Sequence, residues 1–390
     1  MKTWHCYLIP LVAGVILTAG GLAHPYWIDE IVTMMNFASG WQSALLDYSA
    51  PNNHQLFSLA FYGWRQFLSP ETLAFDYSIT RLLPLFFFLA AVVGVAHLAF
   101  RRAGKIAALC AGLLFATAHS VLNFATELRG YAMSLPFALT AFYFLAEFLT
   151  TAKRRHLIGY LVSCWLLVGI LPTNLIIPAA LAIWAASEIW RQSGFAAVRA
   201  RWKNLALIAF APLAGLAILL PCYGQLAASI AQGVVSSREF LLWHYPAALG
   251  RDILFIAPVL IGAAFYRRSA APANANETSF RADFSAPLFT LIVFLVPLLL
   301  CLLLPRVPGE RVLVTATPLL FLGLGCWLAE AGGKIFANYK FAGGGDIIVV
   351  RERGVSRAGV LPRTRAGGVE FVGGLQRQPL RPRPELRRIC

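Results

Sequence analysis

Apolar runs of fifteen to nineteen residues recur along the chain, at 7–23, 82–100, 106–122, 131–149, 157–171, 174–190, 204–222, 248–266, 286–304 and 312–330. Each approaches the roughly 20 residues that cross about 30 Å of hydrocarbon as a helix. The pattern therefore predicts an all-α polytopic membrane protein with about ten or eleven transmembrane helices. The eleventh candidate, HQLFSLAFYGWRQFL at 54–68, is short and carries Arg65, so we read it as interfacial or half-inserted. Between the first and second runs, residues 29–47 alternate apolar and polar positions at helical spacing, with Trp27 and Trp41 as interfacial anchors. That pattern predicts helices lying on the membrane surface within a long first outer loop, 24–80. The first run could be a signal peptide, but no small-x-small cleavage site follows it, and a retained helix is expected.

Composition agrees: 58% of the 390 residues are hydrophobic, 13% are charged, and the mean hydropathy is +0.67. No soluble domain of this size hides so much apolar surface. The formal charge of +15 is no nucleic-acid signal, because much of it sits in short loops between runs. With Lys2 inside, the positive-inside rule also places Arg101, Arg102, Lys105, Lys153 to Arg155, Arg191, Arg199, Arg201, Lys203, Arg267, Arg268 and Lys334 inside. Counting 54–68 as a full span would reverse the next basic cluster. The seven cysteines show no spacing suited to zinc or a disulfide framework. Residues 1–341 form the membrane domain. The stretch 342–390 is rich in Arg, Gly and Pro, cannot form a packed core, and is expected to be disordered or a frame-shifted end.

The chemistry gathers on the other face. Ionisable groups near a membrane are costly and mark function by default. Asp29 and Glu30 follow the first run in HPYWIDE; either they cap a helix, at about even odds, or one is a general base with a neighbour. Asn52, Asn53 and His54 precede an apolar segment, as a turn and cap or as donors to phosphate or sugar hydroxyls. Glu127, Arg129 and Tyr131 lie in ATELRGYAM, a polar turn unless the arginine has an anionic partner. Arg306 and Arg311 stand where positive charge is normally depleted, and a guanidinium fork matches phosphate oxygens.

In this order the four stretches, with Arg81 to Pro84 between them, resemble the GT-C glycosyltransferases. The closest likeness is to the bacterial relatives of the dolichyl-phosphate-mannose protein mannosyltransferases, glycosyltransferase family 39. Those relatives commonly read W-x-D-E, then N-N-H-x-L or H-P-P-L, R-L-P-S, and A-R-G-Y or E-x-R-x-Y. Here the matching residues are Trp27, Asp29 and Glu30; Asn52 to His54 and Leu56; Arg81 to Pro84; and Glu127 to Tyr131. The likeness covers residues 1–150; beyond them it is one of helix pattern, apart from Glu310 and Arg311. Gln55 replaces the usual proline, RLLP replaces RLPS, and the large C-terminal extramembrane domain of some relatives is absent.

The resemblance implies a GT-C fold in a bacterial inner membrane, serving the cell envelope from the extracytoplasmic side. It implies transfer of a sugar from a polyprenyl-phosphate donor to a glycan, lipid or protein hydroxyl, with inversion. Asp29 would be the base, with Glu30 assisting. His54, Asn53, Arg81, Arg129 and Arg311 are the candidate phosphate and substrate ligands, and Glu127 and Tyr131 complete the set. No cofactor is required, although Asp29 and Glu30 could hold a divalent metal. Its partners are the lipid-linked donor, membrane lipid and an acceptor that the residues do not identify. Two other classes compete: a lipid or sugar transporter, which calls for charges at mid-membrane and paired halves, and a non-catalytic assembly subunit.

Overall fold

A computed structural model describes residues 2–49, 53–232, 241–254, 284–303, 310–337, 339–341 and 347–349. The chain is an all-α polytopic membrane protein. Among the described residues seven helical stretches have the length and hydropathy to cross a membrane: His5–Leu22, Leu82–Thr117, Gly130–Thr151, Pro172–Ala200, Trp202–Gln225, Ala286–Leu303 and Arg311–Ala331. Three of the ten expected runs account for the difference from the expected ten or eleven. Runs 82–100 and 106–122 are the two legs of one 36-residue stretch, Leu82–Thr117, which reverses at Gly104, so both expected helices are present. Run 157–171 forms a helix of 17 residues, Arg154–Ile170, at the lower end of the length that crosses the hydrocarbon. Run 248–266 lies outside the described residues beyond position 254.

In chain order the helices are α1 (His5–Leu22), α2 (Ile28–Met35), α3 (Trp41–Leu46), α4 (Gln55–Arg65), α5 (Pro70–Phe75), α6 (Tyr77–Thr80), α7 (Leu82–Thr117), α8 (His119–Ala125), α9 (Gly130–Thr151), α10 (Arg154–Ile170), α11 (Ile176–Ala200), α12 (Trp202–Phe210), α13 (Tyr223–Gln232), α14 (241–254), α15 (Ala286–Leu303) and α16 (Thr317–Ala337). 3-10 segments precede α3, α11, α13 and α16, the one before α13 running over the 12 residues Ala211–Cys222. Of the expected tail, only Ile347–Val349 is described, paired antiparallel with Tyr339–Phe341.

Helix α7 is a hairpin. Gly104 takes φ +83° and ψ −166°, a conformation open to glycine and closed to side chains, so the helix reverses there. Phe88 consequently meets Phe115, with ring centroids 5.8 Å apart. The returning leg stops at Thr117, five residues before the expected boundary. Asp252 of α14 accepts the His119 N–H at 2.8 Å and the Ser120 hydroxyl at 2.6 Å, starting α8 as a separate helix.

The core is largely aromatic and centres on α9, α11 and α15. Phe142, Trp184, Phe284 and Phe289 are all buried, and the Phe142 and Phe289 centroids lie 4.7 Å apart. Helix α1 lies at the periphery, with Val12, Ile16 and Leu17 exposed.

Charge divides between the two ends of this bundle. At one end Arg102 donates to the Phe284 carbonyl at 2.7 Å and pairs with Glu330, while Arg191 pairs with Glu188. The α7 bend and the N-terminus of α1 share this end, since Cys6 packs with Ala96 and Ala108. The opposite end holds the first loop. There α4 has only 11 residues, about 16 Å of helix, so the segment does not span. It packs through Phe57 and Phe61 under the α2–α3 connection, where Arg65 donates to the Met34 and Ala38 carbonyls. Trp27, Ile28, Met35 and Trp41 are exposed on this loop.

Candidate active site

The Asp29–Glu30 pair opens α2, and the helix turns its two carboxylates in different directions. Glu30 is fully buried. Its Oε2 accepts the Trp27 N–H at 2.8 Å, a helix N-terminal cap, and the Arg81 guanidinium at 2.7 Å. Its Oε1 accepts the Leu128 N–H at 2.9 Å. One carboxylate thus ties the start of α2, the end of α6 and the α8–α9 turn together. Arg81 is 2% exposed and also donates to the carbonyls of Gly21, His24 and Pro25. Glu30 and Arg81 therefore fold the loop back onto the bundle.

Asp29 is 38% exposed and meets two cations. Arg129 reaches its Oδ2 at 3.0 Å from a buried position, and Arg311, itself about half exposed, lies 3.7 Å from the same oxygen. Three segments far apart in sequence converge on this carboxylate: the first loop, the α8–α9 turn and the 3-10 turn leading into α16. Beside it lies a cleft of about 410 Å³, lined by His24, Trp27, Asn123, Phe124, Glu127 and Arg311 among others. As they stand, Asp29 and Glu30 do not fit a shared divalent metal. Both Glu30 oxygens are committed to N–H donors, and Asp29 faces two guanidinium groups. Among the described residues no group of three or more His, Cys, Asp or Glu side chains gathers as metal ligands would.

Each residue of the ELRGY motif has a separate task. Glu127 lines the cleft, its Oε2 buried without a hydrogen-bond partner. Burial pushes this carboxyl up to about 7, opposed by the nearby Arg129 and Arg311 charges. Leu128 is buried and gives its N–H to Glu30. Arg129 stacks over the Tyr131 ring, 5.1 Å from its centroid, while its Nε has no acceptor. Gly130 permits a close approach: a Cβ there would lie 2.6 Å from Ile170 and 2.7 Å from His54 Nδ1. Tyr131, buried, meets the His54 ring edge-on at 4.9 Å.

His54 accepts the Gly130 N–H on Nδ1 at 2.7 Å, which leaves the proton of a neutral ring on Nε2. Burial, reinforced by Arg129 and Arg311, holds this imidazole well below its usual range. His54 is thus a neutral post under the ELRGY turn and supplies no positive charge to the site. Asn53 is also buried and fully used, donating to Ala44 and Asp47 carbonyls and accepting from Ser58. Gln55, where the resembled family has proline, donates to the Leu45 carbonyl at 2.7 Å and joins α4 to α3. Asn52 lies outside the described residues.

Of the nine residues singled out from sequence, Asp29, Glu127, Arg129 and Arg311 cluster at the cleft with their charges. Tyr131 and His54 support Arg129 and its turn, and Glu30, Arg81 and Asn53 serve as ties. The sequence reading missed His24 and Asn123. Asn123 lies on α8 and Glu127 in the bend after it, so no helical spacing links them, and neither Asn123 nor His24 carries a signal in the sequence. Compared with models of known protein families and with curated proteins, the chain matches none.

Proposed function

We propose that the protein is an inverting glycosyltransferase that moves a sugar from a polyprenyl-phosphate donor to an acceptor hydroxyl. The observation that carries this reading is the placement of Asp29 between Arg129 and Arg311 at the edge of the cleft. The reading places this face outside a bacterial inner membrane, since the opposite end bears Arg101, Arg102 and Arg191, as the positive-inside rule requires of a cytoplasmic face.

The two arginines suit a lipid-linked phosphate. Arg311 is exposed and only loosely paired, so a donor phosphate can replace Asp29 as its partner. Arg129 offers an unpaired Nε–H within the buried wall. Withdrawal of Arg311 leaves Asp29 able to accept a proton from the acceptor hydroxyl. The acceptor oxygen then bonds to the anomeric carbon as the bond from that carbon to the phosphate oxygen breaks. The proton passes to Asp29, and the electron pair leaves on the lipid phosphate, whose charge Arg311 and Arg129 cover. No general acid is needed for such a leaving group. Glu127, about half protonated at neutral pH and more so below it, can donate to a sugar hydroxyl, and exposed Trp27 offers an apolar ring face to the sugar.

The test is sugar transfer in membranes supplied with a panel of polyprenyl-phosphate monosaccharides. Wild-type protein consumes at least one donor, and Asp29→Asn abolishes that consumption at unchanged protein level. Full consumption by Asp29→Asn, or none of the panel by the wild type, overturns the reading.

A further inference from the structure

A second cavity, of about 360 Å³, opens between α1, the end of α7, α8 and α14, with Leu17, Thr117, His119, Leu122, Ala248 and Arg251 in its lining. Its size is that of a small-ligand site, and its walls are chiefly apolar. Helix α14 explains how it forms. Leu241, Tyr245, Leu249 and Asp252 are buried at near-helical intervals, and Tyr245 stacks on Phe294 of α15. Leu242, Trp243 and Leu254 remain exposed on the other side, as a helix at a membrane boundary leaves them.

Arg251 is exposed in this crevice and, among the described residues, forms no ion pair. Its sequence neighbour Asp252 does not neutralise it. Asp252 is buried, with Oδ1 accepting the His119 N–H and Oδ2 accepting the Ser120 hydroxyl and N–H. The crevice thus offers a guanidinium, with the exposed His119 side chain near it, above the apolar Leu17, Leu122 and Ala248. It also lies next to the Asp29 cleft. Gly21, one turn beyond Leu17 on α1, and Asn123, the residue after Leu122, line that cleft instead. The crevice is therefore about one turn, or roughly 5 Å, nearer the middle of α1.

We infer that this crevice binds the phosphate headgroup of a bilayer lipid, with Arg251 as the charged ligand and the first chain carbons on Leu17 and Leu122. A charge in a mainly apolar crevice at this depth calls for an anion, and only an amphiphile matches both parts of the lining. The inference does not depend on glycosyl transfer and is tested without it. Purified protein exchanged into equal parts phosphatidylglycerol and phosphatidylcholine is delipidated stepwise, and the retained lipid is counted by native mass spectrometry. Wild-type protein retains phosphatidylglycerol preferentially. Arg251→Gln lowers that retention by about tenfold or more, the loss of a charge-assisted hydrogen bond. Arg251→Lys restores part of it, and Arg199→Gln, an exposed arginine outside both cavities, leaves it unchanged. Leu17→Trp, which fills the crevice without touching its charge, lowers retention as well. Unchanged retention in both Arg251→Gln and Leu17→Trp overturns the site. So does equal loss in Arg199→Gln, which would show charge alone at work. Complete displacement by inorganic phosphate would show that the ion rather than the lipid is bound, and would overturn it too.

Discussion

Replacing Glu30 by glutamine and, separately, Asp29 by asparagine puts two neighbouring carboxylates to opposite tests. The Glu30–Arg81 pair is buried, with side chains 1% and 2% exposed. Removing one partner of such a pair leaves the other charge uncompensated and costs about 3–5 kcal/mol. Glutamine adds a second fault, because it keeps one acceptor oxygen where Glu30 uses two, for the Trp27 and Leu128 N–H groups. Asp29 is 38% exposed, and solvent-screened pairs contribute about 0–1 kcal/mol. Purified variants unfolded by heat in detergent should therefore separate clearly, with Glu30→Gln melting far below wild type and Asp29→Asn close to it. Transfer activity should not follow the same order: Asp29→Asn is stable and inactive. Adding Arg81→Met to Glu30→Gln should recover part of the lost stability, though not all, since Gly21, His24 and Pro25 lose a donor. Equal melting temperatures for the two single variants would refute the division of labour. So would a Glu30→Gln protein that is stable yet inactive.

Arg311→Gln should leave melting unchanged, because the side chain is half exposed, and reduce transfer about tenfold or more through weaker donor binding; an unaltered KM for donor would remove Arg311 from the phosphate site. Gly130→Ala should destabilise by about 1–3 kcal/mol through overpacking against Ile170 and His54, read as a drop in melting temperature; wild-type melting would place the turn elsewhere. The Glu127 carboxyl, raised from 4.5 to about 7, binds its proton more tightly in the folded protein than in the unfolded chain. Its contribution to stability is complete below about 4.5 and is lost as pH rises through about 7. Glu127→Gln should flatten the melting-temperature profile over that window, and an unchanged slope would disprove the assignment. Asn123→Cys, exposed at the cleft, should react with an impermeant thiol reagent applied from outside the cell. Labelling only from the cytoplasm would reverse the orientation.

The apolar runs were legible because each is long enough to need the bilayer, and 131–149 and 286–304 recur almost unchanged as α9 and α15. Boundaries set by distant residues were not legible. Nothing local marks the start of α8 just after Thr117, since its cap comes from Asp252, more than 130 positions away. The two legs of α7 read as separate spans because Arg101, Arg102 and Lys105 interrupt hydropathy. The chain does reverse there, at Gly104, so the two legs are two helices as that reading expects. At the candidate site, residue types suggested which groups matter but not what holds them. An arginine looks the same in sequence whether it faces an open cleft, as Arg311 does, or three backbone carbonyls, as Arg81 does. Only burial separates them.

The behaviour of the Asp29–Glu30 pair follows from helix geometry. Adjacent residues on an α-helix point about 100° apart, so two neighbouring carboxylates cannot both face one cleft. If the first turn of α2 must be capped and pinned to the bundle, the residue three positions after Trp27 is the one that can reach back to its N–H, and that residue is Glu30. Asp29, one position earlier, then turns toward solvent and the cleft. The α8–α9 turn repeats the arrangement in the facing segment: Leu128 gives its backbone to Glu30, and Arg129 gives its side chain to Asp29. The two contacts lie side by side, one buried and one open to the cleft. Moving Glu30 therefore moves Leu128, and with it the guanidinium that Asp29 faces. A variant that loosens the buried tie should lower transfer even with Asp29 and Arg129 intact, and the loss should track melting temperature across Glu30 and Arg81 substitutions. Activity at Asp29 should be independent of it.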